Sequence, residues 1–160
     1  MDRSYTGRVA AATLRRAVIE DAAAVADVLI GSRRAAGDAI PPAVHSDDEV
    51  REWVRTVVVA DREVWLAEDA DQRPLGVLVL HEDWVDQLYV APDSTGTGLG
   101  SRLIQLAKAR RPDGLQLWTF ASNTGAQRFY LRHGFVVAET TDGAGNEERA
   151  PDIRFVWPGP

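Results

Sequence analysis

The stretch TGTGLGSR, Thr95 to Arg102, sets three glycines at alternate positions, Gly96, Gly98 and Gly100, between a strand-like run (DQLYVAP) and an apolar helical run. The first turn of a helix leaves backbone N–H groups without intrahelical acceptors, and that end of the helix dipole is positive. Glycines let those amides approach an anion with no side chain in the way and permit the positive φ such a loop needs. The chemistry this predicts is a phosphate cradle. Spacing excludes two other phosphate motifs. A nucleotide P-loop requires Lys and then Ser or Thr after its last glycine, whereas Gly100 is followed by Ser101 and Arg102. A dinucleotide fingerprint requires glycine where Ser101 stands.

Composition bounds the rest. The chain has 160 residues, 45% of them hydrophobic, enough to bury one good core but short for two domains. A single domain over 13–160 is expected, behind an aperiodic leader, 1–12, expected to be flexible. The formal charge of -6 argues against a nucleic-acid surface, which needs a basic stripe. No apolar run approaches the span of a bilayer, and the N-terminal residues lack the apolar core of a secretory signal, so a soluble cytoplasmic protein is expected. The absence of cysteine excludes disulfides, thiolate metal sites and a Cys nucleophile. His45, His81 and His133, with the acids, show no metal spacing, and no metal is expected.

The elements that must position the cradle follow from period and punctuation. TLRRA reads as a strand. DAAAVADVLIGSRRA reads as a helix with acids at its start and arginines at its end. AGDAIPPAVHS reads as a loop. Ser46 or Asp47 caps a second helix, DDEVREWVRTVVV, whose Val50, Trp53, Val54 and Val57 share a face. Strands REVWLAED, PLGVLVLHE and WVDQLYVAP follow, then the glycine-led helix, strand LQLWTFAS, helix NTGAQRFYLRHG, strand FVVAETT, a glycine-rich turn and strand DIRFVW. The order βααβββαβαββ predicts an α/β fold, a mixed sheet with helices on both faces.

Two motifs at this separation resemble the GCN5-related N-acetyltransferase (GNAT) family. DQLYVAP leading into TGTGLG is similar to the family's fourth strand and pyrophosphate loop. NTGAQRFYLRHGF, Asn123 to Phe135, is similar to its second signature. The resemblance runs from about Thr13 to Trp157 and implies a mostly antiparallel sheet and acetyl-CoA as co-substrate. It also implies a cofactor arm held like an added strand by the main chain of Leu88, Tyr89 and Val90, with a main-chain N–H there polarising the acyl carbonyl. Thr95, Gly96, Thr97, Gly98, Leu99, Gly100, Ser101 and Arg102 would surround the pyrophosphate, and Asn123 would lie near the arm or cap its helix. One departure stands at Thr95, where the family usually carries Arg or Gln.

Acetyl transfer to an amine needs a proton for the departing thiolate and a base for the ammonium. Tyr130 matches the family position for the first task, and a phenol with a pKa of about 10 is protonated at neutral pH. Its alternative is core packing beside Phe129. For the base, strand alternation places Glu82, Trp84, Asp86 and Leu88 on one face, with Asp86 nearest the thioester and Glu82 in reserve. His133 reads as a helix-end cap, His45 as a solvated loop histidine, and Glu147 and Glu148 as part of a polar turn. Trp53, Trp84 and Trp118 flank the acceptor side implied by the resemblance. The expected activity is N-acetyl transfer by direct attack on a small-molecule or peptide amine. The alternative is a catalytically inactive acyl-CoA-binding sensor or assembly module. A homodimer is compatible with the resemblance.

Overall fold

The computed structural model describes residues 12–160. Of the expected leader only Ala12 lies within that range. It is buried, and its carbonyl accepts from Arg102 Nη2 at 2.9 Å. Strands β1 (Thr13–Arg16), β2 (Glu63–Glu68), β3 (Pro74–His81), β4 (Trp84–Val90), β5 (Leu115–Phe120), β6 (Val136–Thr141) and β7 (Asp152–Trp157) form one sheet in the order β1-β2-β3-β4-β5-β7-β6. All neighbours are antiparallel except β4 and β5. Helices α1 (Ala22–Ala36), α2 (Asp47–Trp53), α3 (Val59–Asp61), α4 (Leu99–Arg110) and α5 (Thr124–Arg132) complete the expected order.

The sheet separates two apolar layers, and β3 shows why its sequence is an almost unbroken apolar run. Leu78 and Leu80 join the cluster under α4 and α5, with Leu103, Ile104 and Phe135. Val77 and Val79 join the one under α1 and α2, with Val25, Leu29 and Val58. A strand covered on both faces has no polar side to show. Among the described residues, no helix is long and apolar enough to cross a membrane.

Two local irregularities re-aim side chains. A π-helical turn, Val54–Val58, joins α2 to α3, so the residue facing the core after Val54 is Val58 and not the expected Val57. In the β3–β4 ladder Val79 pairs with Gln87 but Leu80 pairs with Val85, which leaves Asp86 as the extra residue of a β-bulge. Alternation is broken there: Val85 and Leu88, three residues apart, both join the α4/α5 cluster. The expected common face of Glu82, Trp84, Asp86 and Leu88 is therefore corrected. Glu82 is not in the strand at all. It sits exposed in the β3–β4 turn with φ 53°, its carbonyl accepting from Arg111 Nε at 2.5 Å.

The far end of α4 is pinned to β2 through Glu63. Its carboxylate accepts from Arg110 Nε at 2.6 Å, Arg111 Nη2 at 3.0 Å and Trp65 Nε1 at 2.9 Å, while Arg16 and Arg110 stack over the Trp65 ring. Desolvation raises the Glu63 pKa, but the hydrogen bonds from Arg110, Trp65 and Arg111 outweigh it and hold it at about 2 against an ordinary 4.5. A depressed carboxylate stabilises the fold fully above pH 4.5, and that contribution fades as the pH falls towards 2. Glu63→Gln should lower the denaturation midpoint at pH 7 and flatten the acid limb of stability below pH 4.5. Urea titrations across that range check both, and an unchanged acid limb would remove Glu63 as its cause.

Candidate active site

Among the described residues the one parallel ladder is almost absent. β4 and β5 share one registered pair, Trp84 with Gln116, supported by Gln116 N–H donating to Asp83 O at 2.9 Å, and beyond it no further pair forms. The Val90 end of β4 therefore lies open towards β5. Hydrogen-bonded pairs alternate along an antiparallel ladder. The Ala91 N–H to Leu75 O bond of 2.8 Å, with Val90 opposite Gly76, fixes which pairs those are. Tyr89 turns its main-chain groups to β3, and Leu88 and Val90 turn theirs into the split. The expected trio is thus corrected: the main chain of Tyr89 is committed to β3. In the split, Ser32 Oγ of α1 donates to Val90 O at 3.0 Å.

The cradle follows β4 directly. Gly96 and Gly98 have φ of 72° and 87°, in the left-handed region that costs a side-chain-bearing residue roughly 1–2 kcal/mol. A Cβ at either would meet nothing within 4 Å, so both face open space. Gly100 has a different role. A Cβ there would lie 3.4 Å from the Phe129 ring, so its bareness lets α5 pack behind the loop. Leu99 is fully buried and anchors the first turn of α4. Gly98 O already accepts from Arg102 N at 3.1 Å, so the Arg102 amide belongs to the helix and the amides of Leu99, Gly100 and Ser101 are those left without intrahelical acceptors. Ser101 Oγ meets His133 Nε2 at 3.1 Å, and His133 stacks on Phe129 with centroids 4.6 Å apart. Burial, with Lys108 and Arg132, keeps the His133 pKa below its ordinary value.

A cavity of about 390 Å³ runs between α1 and the end of β4, lined by Ser32, Leu88, Tyr89, Val90, Thr95 and Asn123. Asn123 also caps α5, its Oδ1 accepting from Ala126 N at 3.1 Å. Thr95 Oγ1 donates to Pro92 O at 3.0 Å, and Thr97 Oγ1 donates to Ser94 O, so both hydroxyls close the loop on itself.

Across β4 lies a second cavity of about 900 Å³, walled by α1, the loop after it, α2, Gln87 of β4 and the turn bearing Glu147 and Glu148. Trp53 lines it; Trp84 and Trp118 do not. His45 and Glu147, read from sequence as a solvated histidine and a polar turn, are joined here at 3.0 Å across 102 residues. No local pattern announces such a contact. Glu148 stands 3.8 Å from Arg33.

Tyr130 is the buried member of its pair, 8% exposed, with its ring against Phe135 and Phe155, whereas Phe129 is only partly buried. The burial matches the core packing given as the alternative for Tyr130. Burial pushes the Tyr130 pKa well above 10, and the Tyr89 phenol is near enough to push it further. Burial also raises Tyr89, with Arg33 opposing and Glu148 adding to the rise. Neither Asp86 nor Tyr130 lines either cavity; the Asp86 carboxylate pairs with Arg62 at the end of α3.

The family model described as an acetyltransferase (GNAT) domain matches residues 60–137, from β2 through the split, the cradle and α5. Over that segment the chain resembles the GNAT family. The peptidyl-lysine N-acetyltransferase YjaB of Salmonella typhimurium is 28% identical over 95 residues, 59% of this chain and 65% of that protein. The peptidyl-lysine N-acetyltransferase YiaC of Escherichia coli is 28% identical over 106 residues, 66% of this chain and 70% of its own. The matched part thus spans less than two thirds of the Salmonella relative. In three dimensions the chain superimposes on the apo form of YjaB from Escherichia coli with a TM-score of 0.75, at 23% identity, over 93% of this chain and 99% of that one. It also matches yncA of Salmonella typhimurium, a structure solved with its cofactor acetyl-CoA, with a TM-score of 0.63 at 22% identity over 91% of each.

Acetyl-CoA should raise the melting temperature, by the equivalent of about 2.7 kcal/mol at a hundredfold excess over its dissociation constant. Gly98→Val places a side chain in the open space before the amides and should abolish the shift. A thermal scan flat to millimolar acetyl-CoA would count against the cradle.

Proposed function

We propose that this chain is an N-acetyltransferase that moves an acetyl group from acetyl-CoA to a primary amine by direct attack in a ternary complex, in the cytoplasm. One observation carries the reading: adjacent β4 residues line different cavities, Leu88 the one beside the cradle and Gln87 the acidic one across the strand. A donor and an acceptor held in these two spaces meet at β4. The residues fit the donor. Cradle amides face open space, and Leu88 and Val90 offer main-chain groups to an extended arm.

Bound acetyl-CoA supplies the acyl carbon as a thioester. The main-chain N–H of Leu88 or Val90 polarises the acyl carbonyl. Tyr130, kept protonated by burial, donates its phenolic proton to the departing sulfur. For the amine, the acceptor-wall carboxylate whose charge is felt at Tyr89 of β4 is Glu148. Glu148 takes the ammonium proton, directly or through water. Asp86, the expected base, instead fixes Arg62. The inward hydroxyl of Thr95, where the family usually has Arg or Gln, favours the second reading, a non-catalytic acyl-CoA sensor.

Tyr130→Phe should lower turnover by roughly 10² to 10⁴ while acetyl-CoA binding holds. Retained activity on the acceptor would take Tyr130 out of the mechanism, and an inactive wild type that binds acetyl-CoA would establish the sensor. Glu148→Gln should lose most at neutral pH and recover as alkali supplies the neutral amine, with the Asp86→Asn profile unchanged. The converse pair of pH-rate profiles would return the base to Asp86.

A further inference from the structure

The two named relatives are peptidyl-lysine enzymes, yet the acceptor space of this chain is a walled cavity. Its volume, about 900 Å³, falls within the range of roughly 300–1,000 Å³ usual for small-molecule sites. The floor and one wall are apolar: Leu29, Ile30, Val50 and Trp53 from α1 and α2, and Pro41 and Pro42 from the loop. The remaining charge is acidic, with Asp47, Glu49, Glu147 and Glu148 against Arg33 and Arg34. Both arginines are already paired, Arg33 with Glu148 and Arg34 with Asp47. His45 ties the walls together, with Nε2 3.0 Å from Glu147 and Nδ1 3.7 Å from Glu49, so the loop, the start of α2 and the β6–β7 turn are strapped to one another.

We infer that the acceptor is a compact primary amine on an apolar or aromatic body, without a carboxylate of its own, rather than a lysine on a folded protein surface. The apolar side chains, Trp53 above all, take the body, by area burial and ring contact. The acidic excess, Glu49 and Glu147 once Asp47 and Glu148 are set against the two arginines, draws the cationic end and disfavours an acceptor carrying its own carboxylate. The size and walls of this space suit a compact acceptor better than a lysine carried on a folded surface. This inference rests on the N-acetyltransferase reading above.

The test measures kcat/KM at saturating acetyl-CoA for tryptamine, tryptophan, spermidine and a lysine-containing peptide, on wild type, Trp53→Ala and Trp53→Phe. Tryptamine should exceed each of the other three by at least about tenfold, which corresponds to about 1.4 kcal/mol of discrimination. Trp53→Ala should raise the tryptamine KM about tenfold and Trp53→Phe should restore most of it, while the acetyl-CoA thermal shift of both variants confirms that they are folded. Preference for the peptide or spermidine, parity of tryptophan with tryptamine, or a Trp53→Ala variant with an unchanged KM would each overturn the inference. So would turnover of none of the four by a protein that still responds to acetyl-CoA. Peptide acetylation that depends on Tyr130 would sink the substrate class and leave the reaction standing, whereas a flat acetyl-CoA response would sink the reaction itself.

Discussion

Everything in this molecule turns on the place where β4 and β5 stop pairing. A buried main-chain N–H or C=O without a partner is costly, and folded proteins satisfy nearly all of them. Here one registered pair at Trp84 and Gln116 is followed by a divergence that leaves Leu88 and Val90 with their main-chain groups turned away from β3. Ser32 answers one of them. The remainder form a template for an added strand, which is how an extended ligand is gripped without any side-chain code. The template opens beside the cradle because the crossover between two parallel strands must pass through a helix, and α4 is that crossover.

The split needs walls that do not fall into it. On one side Gly100 lets Phe129 pack behind the loop, and the ring of Tyr130 is braced by Phe135 and Phe155. On the other, Tyr89 projects from β4 towards the cluster under α1 and α2. The two phenols interact electrostatically. Glu63 holds the opposite end of α4, so the helix is fixed at its C-terminus by ion pairs and at its N-terminus by Leu99.

The sequence announces the donor half well because that half is contiguous. β4, the glycines and the first turn of α4 occupy about twenty residues, and strand, loop and helix each have a local signature. Element order was legible for the same reason. What escaped was set by geometry that a period cannot carry. The bulge at Asp86 has no sequence mark, yet it separates Asp86 from the alternation that Glu82 and Leu88 were expected to share. The π-helical turn that substitutes Val58 for Val57 lies in a run of valines that gives no sign of it. Tyr130 and Phe129 are adjacent and both aromatic, and no local pattern says which of them the core takes.

The acceptor half is built in another way, and this difference is itself physical. Its walls come from α1, the loop before α2 and the β6–β7 turn, segments as far apart in the chain as Arg33 and Glu148 that meet through His45, Glu147, Glu49, Arg33 and Glu148. Exposed ion pairs of this kind contribute little to stability, commonly about 0–1 kcal/mol each, so their substitution leaves the fold almost untouched. Backbone amides at a helix start cannot be substituted away, whereas these side chains can. A chain of this design therefore keeps one donor grip through large sequence change while its acceptor wall is free to take new chemistry. The family model's match, residues 60–137, spans β4, the cradle and α5 and leaves out α1, α2 and the β6–β7 turn that wall the larger cavity.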